Sequence, residues 1–135
     1  MLTDSKTSGY VFVYGTLKPG ERNDHVAYNA GSFEAEPAYV DKMTLYHLEP
    51  ENYPAMVRGR GRVEGMLLRY DDIDAALPVL DDLEGCHLLP PEYTRVELRV
   101  YPQNVTAWGY LYARLGRLEP PSALYLATGR WPPSS

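Results

Sequence analysis

Glu84 is the acid in this chain best placed for proton transfer. It follows a helix-like stretch from Asp71 to Leu83, in which Leu77, Leu80 and then Leu83 or Glu84 recur at helical spacing. That periodicity sets Glu84 close to an apolar stripe, and Gly85 stops the helix immediately after it. A carboxylate held near apolar surface has its pKa raised, which suits it to giving and taking protons near neutral pH. Asp81 and Asp82 read as surface carboxylates. The competing reading of Glu84 is a solvated acid at a helix end.

A second candidate lies near the N-terminus. The apolar run Val11-Phe12-Val13-Tyr14 stops at Gly15, and Thr16, Leu17, Lys18, Pro19 and Gly20 follow. This reads as a buried strand feeding a tight loop, with Gly15 and Gly20 supplying backbone conformations that other residues resist. Successive N–H groups in such a loop converge into an anion-binding concavity. The loop that begins at Gly15 is therefore a candidate site for a carboxylate or an oxyanion, with an ordinary turn as the alternative.

Other reactive residue types carry less. His25, His47 and His87 show no metal-ligand spacing, so structural or solvated roles are expected and no metal is assigned. Cys86 lies beside Glu84 and Gly85, but the sequence assigns it no histidine partner to activate a thiol nucleophile. Arg95 shares a strand face with Tyr93 and is available to pair with an acid.

The elements that must position these residues are mostly strands. Tyr10 to Tyr14, Ser32 to Val40, Met43 to Leu48, Arg62 to Tyr70, Glu92 to Tyr101 and Val105 to Arg114 read as strands, and Asn52 to Val57 as a turn entering one. Pro54 belongs at a strand start or edge, because it cannot donate a ladder hydrogen bond. Gly65 inside a strand marks a bulge or a close backbone approach. Arg58, Arg60 and Arg62 alternate with Gly59 and Gly61, which reads as an exposed hairpin tip. Asn23 to Ala30 is a short helix or turn. Asp71 to Leu83 is the one strong helix, capped by Asp71 or Asp72 and bent or split by Pro78. Twelve tyrosines against two phenylalanines suit half-buried sheet positions whose hydroxyls seek partners. The expected class is α+β, a small and mostly antiparallel β-barrel with flanking helices.

The chain as a whole has 135 residues, 44% hydrophobic and 23% charged, which implies one domain over 1–135 with a real core. A net charge of −5 with no cluster of Lys or Arg argues against nucleic acid or an anionic membrane as partner. The lone cysteine precludes an intrachain disulfide. The polar stretch Met1 to Gly9 lacks the core of a signal peptide, and no run is long enough to cross a membrane as a helix. A cytoplasmic location is therefore expected.

Taken in order, Val13-Tyr14-Gly15-Thr16-Leu17, Gly20, Leu45-Tyr46, Tyr53-Pro54-Ala55, Val63-Glu64-Gly65, Leu80-Asp81-Asp82-Leu83-Glu84-Gly85, Tyr93-Thr94-Arg95 and Ala107-Trp108-Gly109-Tyr110 form a pattern. It resembles the γ-glutamylcyclotransferase-like family over about residues 10 to 113. The resemblance implies a small antiparallel β-barrel with flanking helices and a cavity at one end. It further implies that Glu84 is the catalytic acid/base, that Tyr14 to Leu17 cradle the glutamyl part of a substrate, and that Tyr93 lies near the cavity. Residues 21–36 and 114–135 match no part of the pattern that carries a role.

The implied reaction needs neither water, metal nor cofactor. The free α-amine of a γ-glutamyl group attacks its own γ-carbonyl, closes the lactam 5-oxoproline and expels an amine or amino acid. One carboxylate with a raised pKa serves both proton transfers. A non-catalytic small-molecule binder on the same fold is the competing class, since fold alone does not fix function. An enzyme for a γ-glutamylated biosynthetic intermediate would share the chemistry and differ in its leaving group.

Overall fold

The run Val11-Phe12-Val13 is apolar at every position because its strand is covered on both faces. In the computed structural model, which describes residues 7–133, this is β1 (Gly9–Val13). Val11 and Val13 join a core with Ala27, Ile73, Ala76, Leu77 and Leu80 beneath the two helices, α1 (Asp24–Asn29) and α2 (Ile73–Leu83). Phe12 and Tyr14 point the other way, into a second core with Val40, Leu45, Met56, Val63, Leu98 and Trp131. The polar stretch read at the N-terminus lies outside the described residues up to position 6.

The remaining strands are β2 (Phe33–Leu48), β3 (Tyr53–Tyr70), β4 (Tyr93–Val100), β5 (Val105–Tyr112) and β6 (Ala123–Tyr125). They form one sheet in the order β4-β5-β1-β3-β2-β6. Every pairing is antiparallel except β1 with β5. The sheet curls into a half-barrel, and a bridge between Tyr39 and Tyr101 ties β2 to the residue just past β4. This is the α+β class expected from the sequence.

Three local expectations need correction. The strands expected at 32–40 and 43–48 are one strand, β2, and those expected after Asn52 and from Arg62 are one strand, β3. The breaks between them are bulges: Met43 faces both Arg58 and Gly61, and Lys42 takes a φ of 62°. Arg58 to Arg62 are therefore exposed at a mid-strand bend, and the hairpin turn lies at Glu49–Asn52 instead. Pro78 does not split α2, because the helix runs unbroken from 73 to 83. Asp72 caps it, its side chain accepting from the Ala75 N–H at 3.2 Å. Gly65 does mark a close approach, since a Cβ there would stand 2.2 Å from the Val13 carbonyl oxygen. The short strand β6 lies in the tail that read only as turns and breakers.

Candidate functional site

Helix α2 delivers Glu84 to its place. Ile73, Ala76, Leu77 and Leu80 bury the apolar stripe, and Glu84 is the helix C-cap. The chain then reverses in a Schellman turn. The Gly85 N–H donates to the Asp82 carbonyl at 3.2 Å and the Cys86 N–H to the Asp81 carbonyl at 3.1 Å. Gly85 sits at a φ of +68°, which an L side chain resists. Asp81 is no free surface carboxylate, unlike exposed Asp82. It accepts from Arg95 Nη1 at 2.9 Å and from the Tyr110 hydroxyl at 2.8 Å, which pins the helix end to β4 and β5.

The loop after β1 is held from three sides. Lys18 donates to the Gly15 carbonyl, Asn23 donates to the Thr16 carbonyl, and the Asn23 side chain reaches Thr16 Oγ1 at 3.1 Å. Lys18 Nζ donates to the carbonyl of Trp131. Gly15 is required for space and not for an unusual φ, which corrects the reading from sequence. A Cβ on Gly15 would stand 2.3 Å from Pro54 Cγ, whereas Gly20 does take a positive φ, +93°.

Helix end and loop face one cavity of about 170 Å³. Its lining includes all six residues singled out in the sequence: Glu84, Tyr14, Gly15, Thr16, Leu17 and Tyr93. Burial raises the Glu84 pKa to about 8, and the nearby charge of Glu92 adds to the rise. The tyrosine hydroxyls of the lining all donate inward to the protein. Tyr14 donates to the Tyr110 carbonyl at 2.7 Å, Tyr93 to the Pro54 carbonyl, Tyr110 to Asp81 and Tyr53 to Glu92. Burial, followed by neighbouring acids, holds Tyr14, Tyr93, Tyr110 and Tyr53 above their usual range, so each remains a hydroxyl donor. Burial likewise lifts Cys86 to about 11, which leaves a neutral thiol and removes the case for a nucleophile.

Four polar lining residues escaped the reading of the sequence as site residues: Asn23, Tyr53, Glu92 and Tyr110. Tyr53 and Tyr110 stand inside quoted motif segments but carry no local sign of a role. Glu92 sits between Pro91 and Tyr93, and only its adjacency to Tyr93 could have marked it. Among the described residues no group of His, Cys, Asp and Glu is arranged to hold a metal ion. His47 is structural, with Nδ1 accepting from Trp131 Nε1 at 3.0 Å. No helix among the described residues is long and apolar enough to cross a membrane.

Comparison with known proteins places these observations in a lineage. Residues 11–133 match the family model described as gamma-glutamyl cyclotransferase, AIG2-like, which reaches further toward the C-terminus than the resemblance in sequence. The gamma-glutamylcyclotransferase family protein YtfP of Escherichia coli is 34% identical over 107 residues, 77% of this chain and 82% of that one. The gamma-glutamylaminecyclotransferase of Homo sapiens is 37% identical over 97 residues, 67% of this chain and 60% of that protein. The crystal structure of an AIG2-like protein from Mus musculus superposes with a TM-score of 0.67 at 26% identity, over 95% of this chain and 97% of that one. A loop-and-helix-end cavity on a curled sheet, together with these matches, identifies the chain as a member of the gamma-glutamyl cyclotransferase, AIG2-like family.

Proposed function

We propose that the protein cyclises a γ-glutamyl group to 5-oxoproline and releases an amine or amino acid, with Glu84 as the acid/base. The observation that carries this reading is a partly buried carboxyl, its pKa raised to about 8, facing a small cavity beside the Gly15–Leu17 loop. The Glu84 carboxylate takes a proton from the α-ammonium of the bound substrate. The amine nitrogen attacks the γ-carbonyl carbon and the carbonyl oxygen gains negative charge. The bond from that carbon to the leaving nitrogen then breaks as the Glu84 carboxyl gives its proton to the departing nitrogen, and the second proton of the attacking nitrogen passes through Glu84 to the released amine, which leaves as an ammonium. No net proton is gained or lost by the enzyme.

The loop serves the anions of this scheme. Gly15 and Thr16 spend their carbonyls on Lys18 and Asn23, and no N–H of Gly15, Thr16 or Leu17 donates within the loop contacts of the described residues. Those N–H groups are available to the substrate α-carboxylate or the developing oxyanion, and one oxyanion donor is typically worth about 3–4 kcal/mol. Holding amine and carbonyl in attack geometry supplies the other large contribution, up to roughly 7–11 kcal/mol.

The test is 5-oxoproline release from a panel of γ-glutamyl amino acids and γ-glutamyl amines, with Glu84→Gln assayed in parallel. Release by the wild type, lost by at least about a hundredfold in the variant, is the expected result. Equal rates for the two proteins would overturn the role of Glu84. No release from any member, with retained binding of one, would identify a non-catalytic binder.

A further inference from the structure

The cavity holds a second carboxylate that the scheme above does not use. Glu92 lines it together with Glu84, and its backbone is fixed on both sides. The Glu92 N–H donates to the Gly85 carbonyl at 3.2 Å, within the turn that ends α2, and its carbonyl accepts from the Ala113 N–H at 2.8 Å. The Tyr53 hydroxyl donates to Glu92 Oε2, while Oε1 accepts no hydrogen bond from the described residues. The Tyr53 ring is in turn packed edge-on against Tyr93, with centroids 6.2 Å apart.

The charges do not balance. Two glutamates line this cavity, and no Lys, Arg or His is among the lining residues. Glu51, outside the cavity, has its own cation in Arg117, and Asp81 has Arg95. Glu92 has a tyrosine hydroxyl instead of a cation. A charged carboxylate without a cation in a partly enclosed site is stabilised by a cationic ligand group. The headgroup of a γ-glutamyl amide carries one such group, the α-ammonium, and it must lie close to Glu84 to lose its proton there.

We propose that Glu92, oriented by Tyr53, binds the α-ammonium of the γ-glutamyl substrate and presents it to Glu84, so that the site selects substrates with a free α-amine. This assignment rests on the cyclotransferase reading. It divides the work between two acids, one holding the charged amine and the other moving its proton. A substrate whose α-amine is acylated or absent loses the contact with Glu92 and leaves that carboxylate without a counter-charge.

The test compares a γ-glutamyl amide with the glutaric-acid amide of the same amine, which lacks only the α-ammonium. The amide is assayed for turnover, and the desamino compound as a competitive inhibitor. Glu92→Gln should raise KM for the γ-glutamyl amide by roughly tenfold or more, the loss of a charge-assisted contact, while Ki for the desamino compound changes by less than about twofold. Glu92→Gln should also move the rising limb of kcat/KM against pH downward, since a negative neighbour of Glu84 is gone. Tyr53→Phe, which leaves Glu92 in place without its orienting donor, should raise KM in the same direction by a smaller factor. Parallel changes in KM and Ki would show a merely structural role and overturn the assignment. Unchanged KM in a variant that folds would also overturn it, with the cyclotransferase reading left standing. Absence of 5-oxoproline release by the wild type would remove both.

Discussion

At the scale of the residue, Glu84 combines two properties that burial couples. Its folded pKa of about 8 stands well above the ordinary 4.5, so the folded protein holds this proton more tightly than the unfolded chain does. Two consequences follow with definite sign. In free enzyme near pH 7 the neutral form predominates, so kcat/KM, which reports the free enzyme, should climb with pH along a limb whose midpoint lies near 8. Stability should run the opposite way. The contribution of neutral Glu84 is complete below pH 4.5 and is lost as pH rises through 8. Glu84→Gln is permanently neutral, so its Tm advantage over the wild type should widen from pH 5 to 9, on the order of several degrees. Thermal scans across that range check the sign, and a constant difference would contradict it. Glu84 was legible in the sequence because a helical stripe and a stopping glycine bracket it. Glu92 was not, because an acid at a strand start has no period or cap to set it apart.

At the scale of the element, the loop after β1 is held against Pro54 at the start of β3. Pro54 and Ala55 are buried and the proline ring is rigid, so the contact has little room to yield. Gly15→Val places its Cβ 2.3 Å from Pro54 Cγ and should cost about 1–3 kcal/mol of stability, as overpacked substitutions do. It should also raise KM for the γ-glutamyl substrate, because the backbone N–H groups move with the loop. Denaturant midpoints and KM together check this, and an unchanged KM would reduce the loop to a turn. The helix α2 and its boundaries were legible, since Asp72 and Gly85 mark its ends. The long bent strands were not. Asp41-Lys42 and the Gly-Arg alternation at 58–62 carry turn chemistry, and bulges use the same residues as turns.

At the scale of the whole molecule, the C-terminal segment braces the site from behind. Trp131 is 4% exposed, packs into the core shared with Phe12 and Tyr14, and hydrogen-bonds His47. Its carbonyl accepts from Lys18, in the loop after β1. Arg130 adds an exposed pair with Glu64, worth little by itself. Trp131→Ala should therefore cost about 3–5 kcal/mol, the usual range for a buried tryptophan, and weaken substrate binding through the freed loop. Chemical denaturation and KM measure the two effects, and a near-neutral change in stability would refute the bracing role. None of this was legible in the sequence, where Thr128-Gly129-Arg130-Trp131-Pro132-Pro133 reads only as turns and breakers.

The parallel pairing of β1 with β5 bears on how the protein comes into being. Strand β1 is flanked by β3 on one side and β5 on the other, partners that leave the ribosome long after it. Until β5 is synthesised, one edge of the first strand stays unpaired, and Tyr110, whose carbonyl anchors Tyr14, does not yet exist. Pairings this distant in sequence close large loops and form slowly. The first strand made is thus among the last to be completed, and the loop attached to it is set only when nearly the whole chain has emerged. A nascent chain that ends before β5 accordingly lacks the contact that fixes Tyr14, and the cavity is complete only with the finished sheet.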